Sequence, residues 1–287
     1  MQTILNEILS DLKNSTSNEL NQEINNLHFI PPYISSQKWK QLGDYVCNNE
    51  KKLKNIEGKC WYTLRLDGHC FSKTIKKMRE LKLIPEKNGF SDIFASLMVE
   101  CLKKLMIKIN AKFGYTQSDE MIVFVSPSNV VRGIQEEHLF NGRIIKLCTL
   151  ASSYVTSVFV SKLAKLNYNN IDSIIDITPH FDCRIASWDS WDDAYSLLLW
   201  RANDCAMNGV TDAVYSYDKK LVKLNRKQKL EWLHHNNLLP LPKHQAYGTI
   251  IKKEEREIEG FNPITNRRTT TKRNILLEEQ KPILKFN

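Results

Sequence analysis

"YTLRLDGHCFSK" at residues 62–73 and "YTQSDEMIVFV" at residues 115–125 decide how this chain is read. In the first, a strand-like apolar run stops at Asp67-Gly68 and gives way to His69, Cys70 and Phe71. In the second, a short run turns at Ser118-Asp119-Glu120 and continues as Met121–Val125, the pattern of a fully buried strand. Between them Phe94, Leu97, Met98, Cys101, Leu102, Leu105 and Ile109 recur at helical spacing. That spacing predicts a core helix over 92–112, capped by Ser91 or Asp92 and ended by Gly114. Strand, helix and hairpin in this order can lay the end of the strand beside the hairpin turn.

Asp67 would then approach Asp119 and Glu120. Carboxylates held about 4–6 Å apart repel and call for a cation. Mg²⁺ suits such a pair, because it takes hard oxygen ligands, is commonly held by one or two carboxylates, and leaves positions for water and phosphates. Two such ions make a centre for phosphoryl or nucleotidyl transfer. Gly68 would let its own carbonyl and a triphosphate come close. D-G and S-D-E are also ordinary turn sequences, so on spacing alone the turn reading stands beside the metal reading.

Working outward, a helix is predicted over 142–163 with Asn141 as its cap, a strand over 180–187, a helix over 189–208 and a strand over 244–255. Residues 261–274 read as a basic hairpin or loop. Trp39 to Glu50 reads as a short helix. Residues 1–36 read as an extension, with an amphipathic helix at Ile4–Leu12 and a break at Pro31-Pro32. Trp188, Trp191 and Trp200 are expected on one helical segment, in the core or at a subunit interface. Cys205 reads as a core thiol. His69 and His180 read as solvent-facing or satisfied histidines, with acid–base work as the alternative. His234-His235 has no third ligand nearby.

The 287 residues, 42% of them hydrophobic, can build one large core with extensions. The net charge of +9 is concentrated. Residues 219–274 hold 14 Lys/Arg against 5 Asp/Glu, a surplus of nine that leaves the rest near neutral. An acidic partner such as RNA fits this, and so does a solvated basic face. The seven cysteines form no C-x-x-C pair, which argues against a structural zinc site and for reduced thiols. No run approaches the ~20 apolar residues of a membrane span, so no membrane partner is expected. Residues 1–36 contain no Arg and four acids, unlike a mitochondrial presequence. The expected location is cytoplasmic, with the mitochondrion as the alternative.

"RLDGHCF" followed by "QSDEMIVFV" resembles the tRNA-His guanylyltransferase family, whose pattern is R-L-D-G-R-x-F and then Q-S-D-E. "FNGRIIKLCTLASSYV" (140–155), "HFDCRI" (180–185) and "WRANDC" (200–205) match further segments in order, with a weak tail in "YGTII" (247–251). The resemblance covers roughly residues 38–210. It implies an α+β fold, a polymerase- or cyclase-like palm with an antiparallel sheet backed by helices. It divides the chain into residues 1–36, a catalytic domain over 37–210 and a basic RNA-binding region over 211–287. It implies 3′→5′ addition of nucleotides to the 5′ end of tRNA, with two Mg²⁺ ions and nucleoside triphosphates including GTP and ATP. Asp67, the Gly68 carbonyl and Asp119 would hold the metals, with Glu120 as a supporting catalytic acid. Arg65, Gly68, His69, Cys70, Phe71, Ser72, Ser118, Lys82, Arg143 and Lys146 would bind nucleotide. Arg184, Arg201, Arg267, Arg268, Lys272 and Arg273 would contact RNA. A homo-oligomer, commonly a tetramer, is implied.

The family's H-I-N-N-L-Y-N segment after W-R-x-x-D-C is here Ala206-Met207-Asn208-Gly209-Val210-Thr211-Asp212, and the arginine after D-G is His69. The loss resembles the guanylyltransferase-like branch, which implies template-dependent repair of 5′-truncated tRNAs. The alternatives are addition of G at position −1 of tRNA-His, a catalytically silent tRNA-binding paralogue, and a nucleotide cyclase-type palm. The intact Asp67 and Asp119-Glu120 weigh against silence, and the basic tail against a cyclase.

Overall fold

A computed structural model describes residues 6–7, 10, 36–51, 55–85, 91–262, 264 and 266–283. The predicted helix at Ile4–Leu12 and most of the extension lie outside the described residues. The alternating run 61–68 forms β1 (Trp61–Gly68), the strand around which the fold is organised. It pairs antiparallel with β3 (Glu120–Val125) on one side and β6 (Phe181–Trp188) on the other. β3 turns back to β2 (Phe113–Gln117), which pairs with β7 (Thr249–Asn262), which pairs with β8 (Arg267–Glu279). The result is a six-stranded antiparallel sheet in the order β6-β1-β3-β2-β7-β8. A two-stranded ribbon, β4 (Val130–Val131) and β5 (Ile134–Gln135), stands apart.

The sheet separates two cores. On one face Tyr62, Leu64 and Leu66 meet α2 (Phe71–Glu80), α3 (Asp92–Ile109) and α4 (Ile144–Leu166). On the other Ile122, Phe124 and Trp188 meet α1 (Ser36–Lys51) and α6 (Trp191–Tyr215). The period of two along each strand assigns these side chains. The α+β class and the helix-backed antiparallel sheet agree with the sequence reading. The short α5 (Ile171–Ile175) precedes β6, and α7 (Arg226–His235) and α8 (Lys243–Tyr247) pack on the end of α6.

Several local expectations are corrected. α3 ends at Asn110, whose left-handed φ of 59° closes it, and not at Gly114. Gly114 lies in β2, where a Cβ would come within 2.6 Å of the Met106 sulfur. Ser91 does cap α3, its hydroxyl accepting from the Phe94 N–H at 3.3 Å. Asn141 does not cap α4; the N-cap is Arg143, without a side-chain hydrogen bond. Trp188 ends β6 and is not on the helix with Trp191 and Trp200. α6 runs through residues 210–211, and β7 extends the central sheet, so the division placed there cuts a helix and a shared sheet. α4 is long and apolar enough to cross a membrane by length and composition. Its inner stripe, Leu147, Ala151, Val155, Phe159 and Leu163, is packed into the core, while Ile145 and Leu150 stay exposed.

Candidate active site

The carboxylates meet because of strand register. Asp67 stands opposite Glu120 on β3 and opposite Asp182 on β6, so three acids line up across one end of the sheet. One step inward Arg65 stands opposite Arg184. Like charges side by side on a sheet repel, and a row of cations beside a row of acids offsets this. The Ser118-Asp119 turn closes onto β1, where the Gly68 N–H donates to the Asp119 carbonyl at 3.1 Å. Ser118 takes a left-handed φ of 48° to make that turn.

α6 supplies the opposite wall. Arg201, Asp204, Cys205, Asn208, Gly209 and Asp212 follow the three-and-four spacing of a single helix stripe. With Asp67, Gln117, Ser118, Asp119 and Glu120 they enclose a small cavity of about 130 Å³. A larger cavity of about 600 Å³ joins it through the shared Ser118, Asp119 and Asp212. Its walls include Ser72, Lys76 and Arg79 of α2 and Tyr215, Tyr217 and Lys219 beyond the stripe. One cavity is acidic and the other carries cations and aromatic rings. This wall comes from "WRANDC" and the 206–212 segment that departs from the family pattern, and its residues recur at i, i+3, i+4 from Arg201 to Asp212.

The two neighbouring acids of the turn have different surroundings. Burial, and then the charge of Asp67, raise the Asp119 carboxyl above its ordinary range. Glu120 is 4% exposed and accepts from Arg201 Nε at 2.7 Å, with Arg65 at 3.8 Å. Burial raises its carboxyl, while Arg201 first and then Arg65 pull it back. Arg201 also donates to Asp204 at 2.9 Å and lies over the Trp200 ring. Among the described residues no group of three or more His, Cys, Asp or Glu converges as a metal site. Asp67 and Asp119 nevertheless fit Mg²⁺, since two hard carboxylates that repel each other beside a cavity are a donor set such an ion accepts with water and phosphate oxygens.

Other expected residues fall both in and outside this site. Glu120 lines the small cavity with Asp67 and Asp119 and is held there by Arg201 and Arg65. Arg65 is buried beneath it and does not open onto either cavity. Arg201 pairs with Glu120 and Asp204 and lines the small cavity. Phe71 is 2% exposed among Phe94, Phe159 and Phe181. Its ring explains Gly68, where a Cβ would lie 2.4 Å from Phe71; the glycine makes room for the core. Lys82 is exposed beyond the C-terminal end of α2 and lines neither cavity. Arg143 and Lys146 begin α4 beside Asn55 and Ile56, at the opposite end of β1 from Asp67. Lys146 lies over the Phe140 ring. His69, Cys70 and Ser72 are exposed at the start of α2, where Cys70 leaves the helix without a side-chain cap. His69 stacks on His180 at 4.9 Å, and Arg184 pairs with Asp182 at 3.4 Å. Cys205 is a buried thiol that donates to the Gln245 carbonyl.

The family profile described as tRNAHis guanylyltransferase (Thg1) matches residues 43–189. The chain belongs to the tRNA-His guanylyltransferase family. An uncharacterized protein of Acanthamoeba polyphaga mimivirus is 32% identical over 234 residues, 74% of this chain and 77% of that protein. The tRNA(His) guanylyltransferase of Saccharomyces cerevisiae is 27% identical over 158 residues, 54% of this chain and 60% of the yeast protein. A bacterial Thg1-like protein solved with ATP shares the fold, with a TM-score of 0.57 and 20% identity over 80% of this chain and 90% of that one. The yeast enzyme's crystal structure gives 0.54 and 23% over 71% and 90%. The fold is thus the palm type of this family. The profile match stops at residue 189, before the α6 stripe that closes the site.

Proposed function

We propose that this protein is a template-dependent 3′→5′ nucleotidyltransferase that extends the 5′ end of truncated tRNA. The observation that carries the reading is the meeting of an acidic cavity and a cation-lined cavity at Asp119. In support, the yeast relative is named as a tRNA(His) guanylyltransferase, and bacterial Thg1-like proteins of the same fold were solved with ATP and with GTP. In the reaction, the 3′-hydroxyl of an incoming nucleotide loses its proton and attacks the activated 5′-phosphate of the RNA, and the bond to the activating group breaks, releasing pyrophosphate from a 5′-triphosphate or AMP from an adenylylated 5′ end.

Asp67, Asp119 and the Gly68 carbonyl would hold Mg²⁺. When bound, the ion lowers the pKa of an attacking hydroxyl and neutralises phosphate charge. The uncapped start of α2, with the backbone N–H groups of residues 70–72 and the Ser72 hydroxyl, presents donors to phosphate oxygens. Lys76, Arg79 and Lys219 balance triphosphate charge, and Tyr215 and Tyr217 offer rings to a base. Arg201 ties α6 to Glu120 and so fixes the far wall.

Template dependence rests on Ala206 and Gly209. A Cβ on Gly209 would lie 2.3 Å from the Gln245 carbonyl, so α8 occupies the room an asparagine would need. Ala206 is 4% exposed and has no side chain to reach substrate. Pairing with the opposite strand must then place the incoming nucleotide, a proximity effect. The test is four transcripts lacking the first nucleotide and differing only at the templating base, each offered every NTP separately with Mg²⁺. Addition of the Watson–Crick complement in all four supports the proposal. Equal addition of G to all four, or a preference for full-length tRNA-His, replaces it with guanylyltransferase activity.

The same reading includes self-assembly. Ile145 (80% exposed), Ile134 (72%) and Val130 (62%) leave apolar side chains in water, and Leu105, Leu147 and Leu150 line a groove of about 520 Å³ between α3 and α4. A protruding apolar ribbon and an apolar groove on one chain suit a two-fold contact with a second copy. Ile145→Lys should lower the molar mass found by light scattering. An unchanged mass removes this face as the interface.

A further inference from the structure

Beyond Lys253, whose N–H donates to the Lys112 carbonyl, β7 and β8 leave the sheet and continue as a two-stranded arm exposed on both faces. Such a ribbon is marginal alone in water. The cross-strand register assigns each arm residue to a face. One face carries Arg256, Arg267 and Arg273 against Glu254, a net charge of +2. The other carries Glu255, Glu257 and Glu259 against Arg268 and Lys272, a net charge of −1. The arm is therefore basic on one side only, while most of the positive surplus over 219–274 lies before it.

The arginine face continues the sheet face of the active site. Ile250, in phase with Arg256, packs in the core that contains Tyr115 and Ile122. Glu120 and, across from it, Asp67 share that face, because both stand in phase with Ile122. Ile251 and Leu276 pack on the opposite side. Arg256 and Arg273 stand directly opposite each other. Like charges so placed destabilise a ribbon, and an anion between them reverses the sign. Each face holds one ion pair, Arg256 with Glu254 and Lys272 with Glu255, both at 3.2 Å, which leaves Arg273 and Arg267 as surplus charge on the first face. At ~3.3 Å per residue, Arg256 lies ~23 Å along the strand from Thr249, which begins β7 at the carboxylate end of the sheet, and the Arg267 pair ~43 Å.

We propose that the arm binds the RNA phosphate backbone through Arg256, Arg273 and Arg267 alone, away from the 5′ terminus, while the glutamate face stays in solvent. This rests on the tRNA reading above. Two variants remove equal charge from opposite faces: Arg256→Gln with Arg273→Gln, and Arg268→Gln with Lys272→Gln. Binding of a tRNA transcript to the full chain is followed by fluorescence anisotropy across a salt series. The first variant should weaken binding about tenfold and reduce the salt slope by ~0.7–0.9 for each phosphate that is no longer neutralised. The second should stay within about twofold, with its slope unchanged. Equal weakening in both, or none in the first, overturns the face assignment. A wild-type chain that binds no tRNA overturns the functional reading instead. If the first variant lowers Tm, the Arg256→Lys with Arg273→Lys variant decides: restored binding supports the proposal, and binding that stays weak overturns it.

Discussion

Two hairpins of one sheet end in charged residues, and the surroundings of those residues differ completely. The tip of β2–β3 is enclosed by α6 and the start of α2, and its Glu120 is 4% exposed. The tip of β7–β8 stands free, and its Phe261 is 60% exposed. At the first tip low-dielectric surroundings make each charge depend on a named neighbour: Asp119 on Asp67, Glu120 on Arg201 and Arg65. At the second, water screens each charge and only the sum on a face matters. A carboxylate at the first tip is thus a fixed part of a site, and an arginine at the second is one of several interchangeable cations.

The sharpest way to break this contrast is at Asp67 and Asp119. Asp67→Asn or Asp119→Asn should lower nucleotide addition by at least about a thousandfold, with tRNA binding retained, since each removes a metal ligand and no RNA contact. Single-turnover assays beside anisotropy check this, and substantial residual activity in both would remove the metal assignment. Next comes Glu120→Ala, which leaves Arg201 and Arg65 without their shared acid. Breaking a buried ion pair costs about 3–5 kcal/mol, to be read from urea unfolding. If Glu120→Ala is nearly neutral, the first tip is less enclosed than its contacts state.

Gly209→Asn should cost about 1–3 kcal/mol through overpacking against Gln245, and should not restore untemplated addition of G. Lys76→Ala should raise KM for the nucleotide about tenfold, equivalent to ~1.4 kcal/mol, with a smaller change in kcat. An unchanged KM would place the triphosphate elsewhere than the larger cavity. The smallest effect belongs to the arm. Lys272→Ala removes a solvent-exposed pair with Glu255 and should change stability by less than about 1 kcal/mol. A larger effect would show that the arm is packed in solution.

Much of the molecule is legible in the chain. The alternation of 62–66 and the apolar run 121–125 mark β1 and β3, because a strand's period of two shows which side chains are buried. The helical recurrence from Phe94 to Ile109 marks α3. The punctuation at Asp67-Gly68 and Ser118-Asp119 marks the acids, and the order of motifs marks the family. Harder to read are the residues that act through register or across helices. The family resemblance assigns Arg65 to nucleotide, and only the β1–β3 pairing shows it buried against Glu120. Straight counting along the chain points to Lys82, whereas the larger cavity is lined by Lys76 and Arg79, nearer the start of the helix.

By itself, then, the sequence determined which residues could be strand, helix and turn, and which carboxylates end a strand beside a turn. These are local matters of periodicity and punctuation, read within a few turns of helix or a single strand. The tertiary structure alone decided that α6 closes the site, that Gly68 yields to the Phe71 ring, and that Gly209 yields to Gln245. It also decided that Arg256, Arg267 and Arg273 share one face of the arm, and Glu255, Glu257 and Glu259 the other. Each depends on which distant segments share a contact and on the phase of a strand. A shift of one residue would move every side chain to the other face, and neither composition nor spacing records that phase.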